Sequence, residues 1–461
     1  MKKVISLFLL IITLILSACA PKQAMLKADI LVAQGEYKQA ANFSKIQIDS
    51  DDIYARNNLL WELQTGSSLL FSHENNSSIK HLDQSELLIK HYQEQALGKD
   101  VTQTISSTLL NDTTRPYTGT QYDAIMLNTY KAINYLAKGD TDGARVEFNR
   151  VIDRQRRAKI YFNEMIQKEQ KAIKEKEAES LKEGKNLKVE NSQIDIILEQ
   201  NYPSLHSFEA YPDFVNPMST YLAGLFAKAN KETNKAHSLL KEAYGMMPQN
   251  RDVQKDFEEE ENEPMVWLIY ENGQAPILEE LRMDFPIWIF SDRLSYISIA
   301  LPKLTKRGLA LAYLSVVDEH NKTVNTQFLC SMDRVIETEF SKNYPSIVGR
   351  AILSTATKTA INYALQKSVD KRDNSGLSLF VGVATALYQI ASTQADTRIW
   401  TTLPKEFQLA RFKRPDSGKI DIKAPNGVII ESLDLPKRDN ILIYIKIATP
   451  YAKASVSVMP F

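Results

Sequence analysis

Apolar residues recur along this chain with two different periods. From residue 20 to residue 257 they fall three and four apart, the spacing that lines one face of a helix. Leu59, Leu60 and Leu63, followed by Leu82, Leu87 and Leu88, predict one pair of helices over 54–97. From residue 265 the period shortens. Val266-Trp267-Leu268-Ile269-Tyr270 is β-branched and aromatic and runs into Asn272-Gly273, a tight-turn dipeptide. Strand-like runs recur at 295–301, 309–317, 323–331, 397–402, 407–412, 428–433 and 441–449, and Asn426-Gly427 offers another turn. Two helices interrupt them. Pro345 to Lys371 is amphipathic, whereas Leu377 to Ala391 is apolar on nearly all sides, which predicts a helix buried against the sheet. Glu258-Glu259-Glu260-Glu261-Asn262-Glu263-Pro264 separates the two regimes. Crowded like charges and a proline predict a linker there.

Small residues sit at fixed offsets in the helical half. In window 220–248, Gly224 occupies a close-approach position, Ala236, Leu240 and Ala243 follow on a second helix, and Pro248 stops it. Tyr135, Gly139, Ala144 and Phe148 keep the same relative spacing, with Gly139-Asp140 as the turn. Gly35-Glu36-Tyr37 with Ala40 keeps the turn glycine, the aromatic and the alanine. These windows resemble the tetratricopeptide family, whose small residues let two helices cross closely. The pair at 54–97 lacks the signature. Three or four degenerate repeats are expected, and a generic helical bundle remains the alternative. Arg150, Arg154, Arg156 and Arg157, then Gln167 to Lys185, predict a charged helix running on past the repeat into solvent. Residues 187–217, with three X-Pro pairs, read as irregular. The expected fold class is α+β: a tetratricopeptide-like helical region over 19–257, an acidic linker at 258–264, and a β-rich domain with an inserted helical hairpin over 265–461.

The first residues bear on compartment. Lys2 and Lys3 precede an apolar run, Val4 to Leu16, broken only by Ser6 and Thr13. It is shorter than the roughly 20 residues a membrane span needs and fits the core of a secretory signal over 1–18. Leu16-Ser17-Ala18-Cys19 resembles the lipobox of bacterial lipoproteins. That resemblance implies cleavage before Cys19 and acylation of its thiol, by chains such as palmitate. Each buried CH₂ contributes about 0.8 kcal/mol, and a single chain holds only weakly. Ala20 and Pro21 follow, with no aspartate. By the sorting habit of such lipoproteins, this favours the outer membrane over another periplasm-facing site.

Charge and cysteine narrow the function further. Lysine plus arginine equals aspartate plus glutamate at 56 each, so loss of Lys2 and Lys3 leaves 54 against 56. Nothing there draws nucleic acid. With Cys19 lipidated, only Cys330 remains, between Leu329 and Met332, and it reads as a buried thiol. The six histidines, His73, His81, His91, His206, His237 and His320, form no zinc-spaced motif. No phosphate loop, dinucleotide fingerprint or nucleophile elbow appears. Tyr270-Glu271 and Arg398 are expected at turns and the surface, with Trp267 and Trp400 in the core. No cofactor, metal or catalytic residue is expected.

Tyr270-Glu271-Asn272-Gly273, Arg282 to Pro286, Ala300-Leu301-Pro302-Lys303 and Arg398-Ile399-Trp400-Thr401-Thr402-Leu403-Pro404, with the lipobox and repeats, look like a family of uncharacterised bacterial lipoproteins. Relatives of that kind look to be encoded near small lipoproteins resembling activators of penicillin-binding proteins. The resemblance implies an envelope or peptidoglycan setting and assigns no chemistry. The reading reached here is a non-enzymatic scaffold, held to a membrane through acylated Cys19 and gripping a protein partner on a concave repeat surface. The alternatives are a subunit of a secretion or surface-structure complex, and a wall hydrolase.

Overall fold

The computed structural model describes residues 22–98, 115–182, 215–259, 263–287, 295–370, 394–437 and 440–461. Helices gather in the N-terminal half and sheets in the C-terminal half, the expected α+β order. The helical half is a row of antiparallel hairpins. Helix α1 (22–33) pairs with α2 (Tyr37–Ile46), α3 (Asn58–Phe71) with α4 (Asn75–Gly98), α5 (Gln121–Ala137) with α6 (Thr141–Lys182), and α7 (Pro217–Ala229) with α8 (Thr233–Met246). A short α9 (Arg251–Glu258) follows. Local chemistry fixes several starts. Thr120 and Asp123 form a reciprocal capping box on α5. The Asn216 side chain caps α7, whose first residue is Pro217, and Asn250 caps α9.

The first helices of the later hairpins are buried to an unusual extent. Every residue of α3 is buried, and so is α7 from Pro217 to Ala227. The cover is the chain's own sheet. Strand β1 (Met265–Asn272) lies near the middle of a five-stranded sheet of order β11-β10-β1-β7-β6, built with β6 (Gln327–Ser331), β7 (Glu406–Lys413), β10 (Asn440–Ile447) and β11 (Ser455–Pro460). β1 runs parallel to β10 and antiparallel to β7. Side chains alternate across a strand, and both faces of β1 are covered. Trp267 and Ile269, with Leu442 and Tyr444 of β10, join the core of the helical half. Val266, Leu268 and Tyr270, with Ile441, Ile443 and Ile445, face Leu314, Val316, Ile420 and Ile422. Those belong to or adjoin a second sheet of order β5-β4-β8-β9, made of β4 (Ser315–Asp318), β5 (Thr323–Asn325), β8 (Lys419–Lys423) and β9 (Ile429–Asp434). The molecule is thus layered as helices, five-stranded sheet, four-stranded sheet. A ribbon of β2 (Ile277–Ile287) and β3 (Ser295–Thr305) packs on α10 (Met332–Asp370) through Ile299, Leu301, Tyr344 and Val348.

Several sequence expectations change here. Residues 397–402 form no strand but a turn-rich segment laid against α3. Run 309–317 yields strand only at Ser315–Asp318. Run 323–331 splits between sheets, because Thr326 turns the chain by bonding Leu314 and Gln408. The amphipathic helix expected from Pro345 begins at Met332 and carries Pro345 inside it. Strands β2, β8 and β11 were not expected. Helix α6 does run on to Lys182, but Ala158, Phe162 and Ile166 keep one stripe covered, and α10 lies beside it. The helix at 377–391 and the irregular stretch up to residue 214 fall outside the described residues. So do residues 260–262 of the acidic run; α9 ends at the run's first residue, Glu258, and β1 begins just past its last.

Candidate functional site

Two arrangements hold the residues that the sequence singled out: the hairpin turns and the seam between helices and sheet. Cys19 and the lipobox residues Leu16, Ser17 and Ala18 lie outside the described residues. The repeat positions do not.

Each of the four hairpins turns through one residue of positive φ: Gly35, His73, Gly139 and Lys231, with φ between 59° and 75° in each case, at 74°, 63°, 72° and 60°. The next residue is acidic every time: Glu36, Glu74, Asp140 and Glu232. Its N–H donates to the carbonyl five residues back, on Leu31, Leu69, Tyr135 and Ala227, at 2.9 Å in all four. This is the bonding of a Schellman turn. Seven residues before each turn residue stands Ala28, Gly66, Ala132 or Gly224. Five after it stands Ala40, Ser78, Ala144 or Ala236, all four buried. Nine after it come Ser44, Leu82, Phe148 and Leu240, again buried. The small residues let the paired helices approach. A Cβ on Gly66 would stand 2.7 Å from the Leu82 side chain, and one on Gly224 3.0 Å from Leu240. Gly139 has nothing within 4 Å of its added Cβ, so its contribution is conformational. Ala243 is fully buried and Pro248 is exposed in the turn between α8 and α9. Sequence reading placed a helix pair over 54–97 but not its repeat signature, because His73 replaces the turn glycine and Ser78 the alanine. The twelve-residue interval from Gly66 to Ser78 was the signal available.

The seam is polar at its centre. Glu271 and Lys446 are both fully buried and meet at 3.0 Å, from Lys446 Nζ to Glu271 Oε2. Adjacent parallel strands β1 and β10 pair them directly. The Tyr444 hydroxyl donates to Glu271 Oε1, and the Tyr130 hydroxyl of α5 donates to Oε2 at 3.3 Å. Lys446 also donates to the Thr402 carbonyl at 2.8 Å and lies 5.2 Å from the Phe71 ring centre. Burial pulls the Lys446 pKa below the ordinary lysine range, against the pull of Glu271. Alongside, Trp400 Nε1 donates to Ser67 Oγ at 3.1 Å, and Gln64 bonds both Thr401 and Thr402. Tyr130 stands edge-on to Trp400 and Phe71. Trp267 and Trp400 are core residues, as expected. Tyr270 and Glu271 are not at the surface: a central strand with both faces covered buries them completely.

Other ties cross the same seam. Asp256 of α9 accepts from Trp267 Nε1 at 3.1 Å, from Arg411 Nε at 2.7 Å and from the Tyr221 hydroxyl. Arg307 clamps Asp29 of α1 with two bonds of 2.8 and 2.7 Å and reaches the Ala275 and Thr401 carbonyls. Glu339 of α10 caps α5, accepting from the Gln121 and Tyr122 N–H groups at 2.9 and 3.2 Å. Burial pushes the Glu339 carboxyl up to about 8, against those backbone donors. Arg398 bonds Asp396 and the Arg56 and Arg115 carbonyls. Of the resemblance residues, Glu271 and Trp400 to Thr402 thus converge on one buried contact, while Tyr270 and Asn272 face the four-stranded sheet and Arg398 bonds elsewhere.

Among the described residues no group of three His, Cys, Asp or Glu side chains could hold a metal ion, and no helix is long and apolar enough to cross a membrane. Cys330 is buried, and burial pushes its thiol well above the usual range. No family model, curated protein or solved structure matches the chain.

Proposed function

We propose that this chain is a lipid-anchored lipoprotein of the bacterial cell envelope, held through acylated Cys19, and that it works by holding protein partners as a rigid support. Its helical half is read as four degenerate tetratricopeptide-like repeats. The observation that carries this reading is the common turn: four hairpins with the same residue spacing and the same 2.9 Å bond, stacked in one row. Such rows are built for protein contact.

The grip differs from the usual one. The inner helices that would line a partner groove are already buried against the five-stranded sheet, so partners meet the outer helices. Exposed apolar side chains there include Leu87 on α4 and Val146 and Ile160 on α6. Helix α6 also outruns its hairpin partner, 42 residues against 17. The 25 extra residues make an extension of about 37 Å at 1.5 Å per residue. Crosslinking and pull-down from membranes test the reading, comparing the full protein with a Leu87→Glu/Val146→Glu/Ile160→Glu variant. Removing 20–257 instead would strip the cover from β1. Stable partners lost in the variant are the expected result. Partners captured equally by both forms would overturn the placement on the outer helices.

A further inference from the structure

We propose that the outward face of α1 lies flat on the bilayer, so that the body is docked on lipid along its first helix as well as tethered. The proposal rests on the reading that Cys19 carries acyl chains. Helix α1 is described from residue 22, three residues beyond that thiol. Three residues reach at most about 10 Å, so its first turn is held at the headgroup level wherever the anchor sits. Among the described residues no hairpin precedes α1. Ala28 and Val32 point inward and are buried. The opposite side exposes Leu26 by 59% and Ile30 by 46%. Residues four apart on a helix stack one above the other, so these two form a single apolar stripe. Lys22, Gln23 and Lys27 are exposed around it.

Two further exposed apolar residues lie near the ends of α1. Helix α2 returns antiparallel to α1, which brings Ile46, 78% exposed, back beside the start of α1. At the other end, Thr449 Oγ1 donates to the Ala33 carbonyl at 2.6 Å and the Lys453 N–H to the Gln34 carbonyl at 3.2 Å. That turn presents Tyr451, 94% exposed. A short amphipathic helix with lysines flanking an apolar stripe and an aromatic at its end is the composition that settles at a membrane interface. Lysine stems reach the headgroups while the stripe enters the acyl boundary.

The test uses lipidated full-length protein in vesicles of phosphatidylcholine and phosphatidylglycerol, with and without brominated acyl chains. Ile30→Cys receives a fluorophore that bromine quenches. Acylated Cys19 and buried Cys330 leave that thiol as the one labelled. Val428→Cys, at a site 59% exposed in the turn between β8 and β9, is the control. Expected is several-fold stronger quenching at residue 30 than at residue 428. Equal quenching at both sites, with acyl chains found on Cys19 by mass spectrometry and the protein floating with vesicles, overturns the docking and leaves the anchor standing. Protection of residue 30 that depends on protein concentration and not on bromine also overturns it, assigning the stripe to a second copy. Absence of acyl chains on Cys19 overturns both readings.

Discussion

Substituting Lys446 by Met removes the cation from the centre of the seam and leaves its space filled. Glu271 is then left with only the Tyr444 and Tyr130 hydroxyls for company, at a position with no exposure. Breaking a buried ion pair by removing one partner costs about 3–5 kcal/mol, a large share of the roughly 5–15 kcal/mol that holds a folded protein together. Glu271→Gln strands the ammonium in the same way, with only the Thr402 carbonyl and a neutral amide oxygen to accept from it. The double variant Glu271→Gln/Lys446→Met behaves differently. No charge remains, the Gln oxygen still accepts from one tyrosine hydroxyl, its NH2 can donate to the other, and the Thr402 carbonyl loses its donor, at about 1–3 kcal/mol. The double variant is therefore expected to be more stable than either single one. Urea unfolding of the purified protein, followed by far-ultraviolet circular dichroism and tryptophan fluorescence, measures all three. Trp267 and Trp400 report the seam while the dichroism reports mainly helix, and one shared core requires the two signals to fall together. Single variants that lose less than about 1 kcal/mol each and add in the double, or signals that separate in the native protein, would refute the reasoning.

Stability is expected to fall as pH rises from about 4 to about 8. Burial raises Asp123 to about 6, Asp333 to about 6 despite Lys405, and Glu339 to about 8. An acid with a raised folded-state pKa contributes fully below its unfolded value and loses that contribution as pH passes the folded value. A thermal midpoint that rises steadily from pH 5 to pH 8 would contradict these assignments. Gly66→Val is expected to destabilise by about 1–3 kcal/mol through overpacking, since its Cβ meets Leu82 at 2.7 Å; a neutral result in urea unfolding would mean the α3 and α4 helices do not cross there. Gly139→Ala is expected to cost about 1–2 kcal/mol from the left-handed backbone alone, its φ being 72° with open space around it; an equal or higher urea midpoint would mean the turn is not left-handed. Cys330 is expected to resist maleimide in the native protein and react on unfolding, which mass spectrometry reads directly; native labelling would contradict its burial.

Periodicity made much of this fold legible. The helical and strand-bearing halves divide where the period changes, and β1, β3, β7, β9 and β10 stand close to where alternation and β-branching put them. Composition misled elsewhere. Strand β2 contains Leu278-Glu279-Glu280-Leu281, a helical spacing, and is a strand only because β3 pairs with it along its length. The segment at 397–402 is apolar enough for a strand, yet its bonds go to α3 side chains. The seam was hidden for a different reason. Glu271 and Lys446 lie far apart in the chain, and a lone charge in a strand reads as surface until the partner across the register is known. The closed inner helices followed the same logic: α3 is polar enough, with Glu62, Gln64 and Ser67, to suggest one open side. Those residues bond the sheet half and α4 instead.

The most direct measurement is intact mass spectrometry of the N-terminal peptide from protein extracted from membranes. The account requires a chain that begins at Cys19 and carries acyl groups on it. A chain that begins at Met1, or at Ala20, or that keeps a free thiol at position 19 would contradict the envelope anchor, and with it the proposed place of the repeat row beside a membrane.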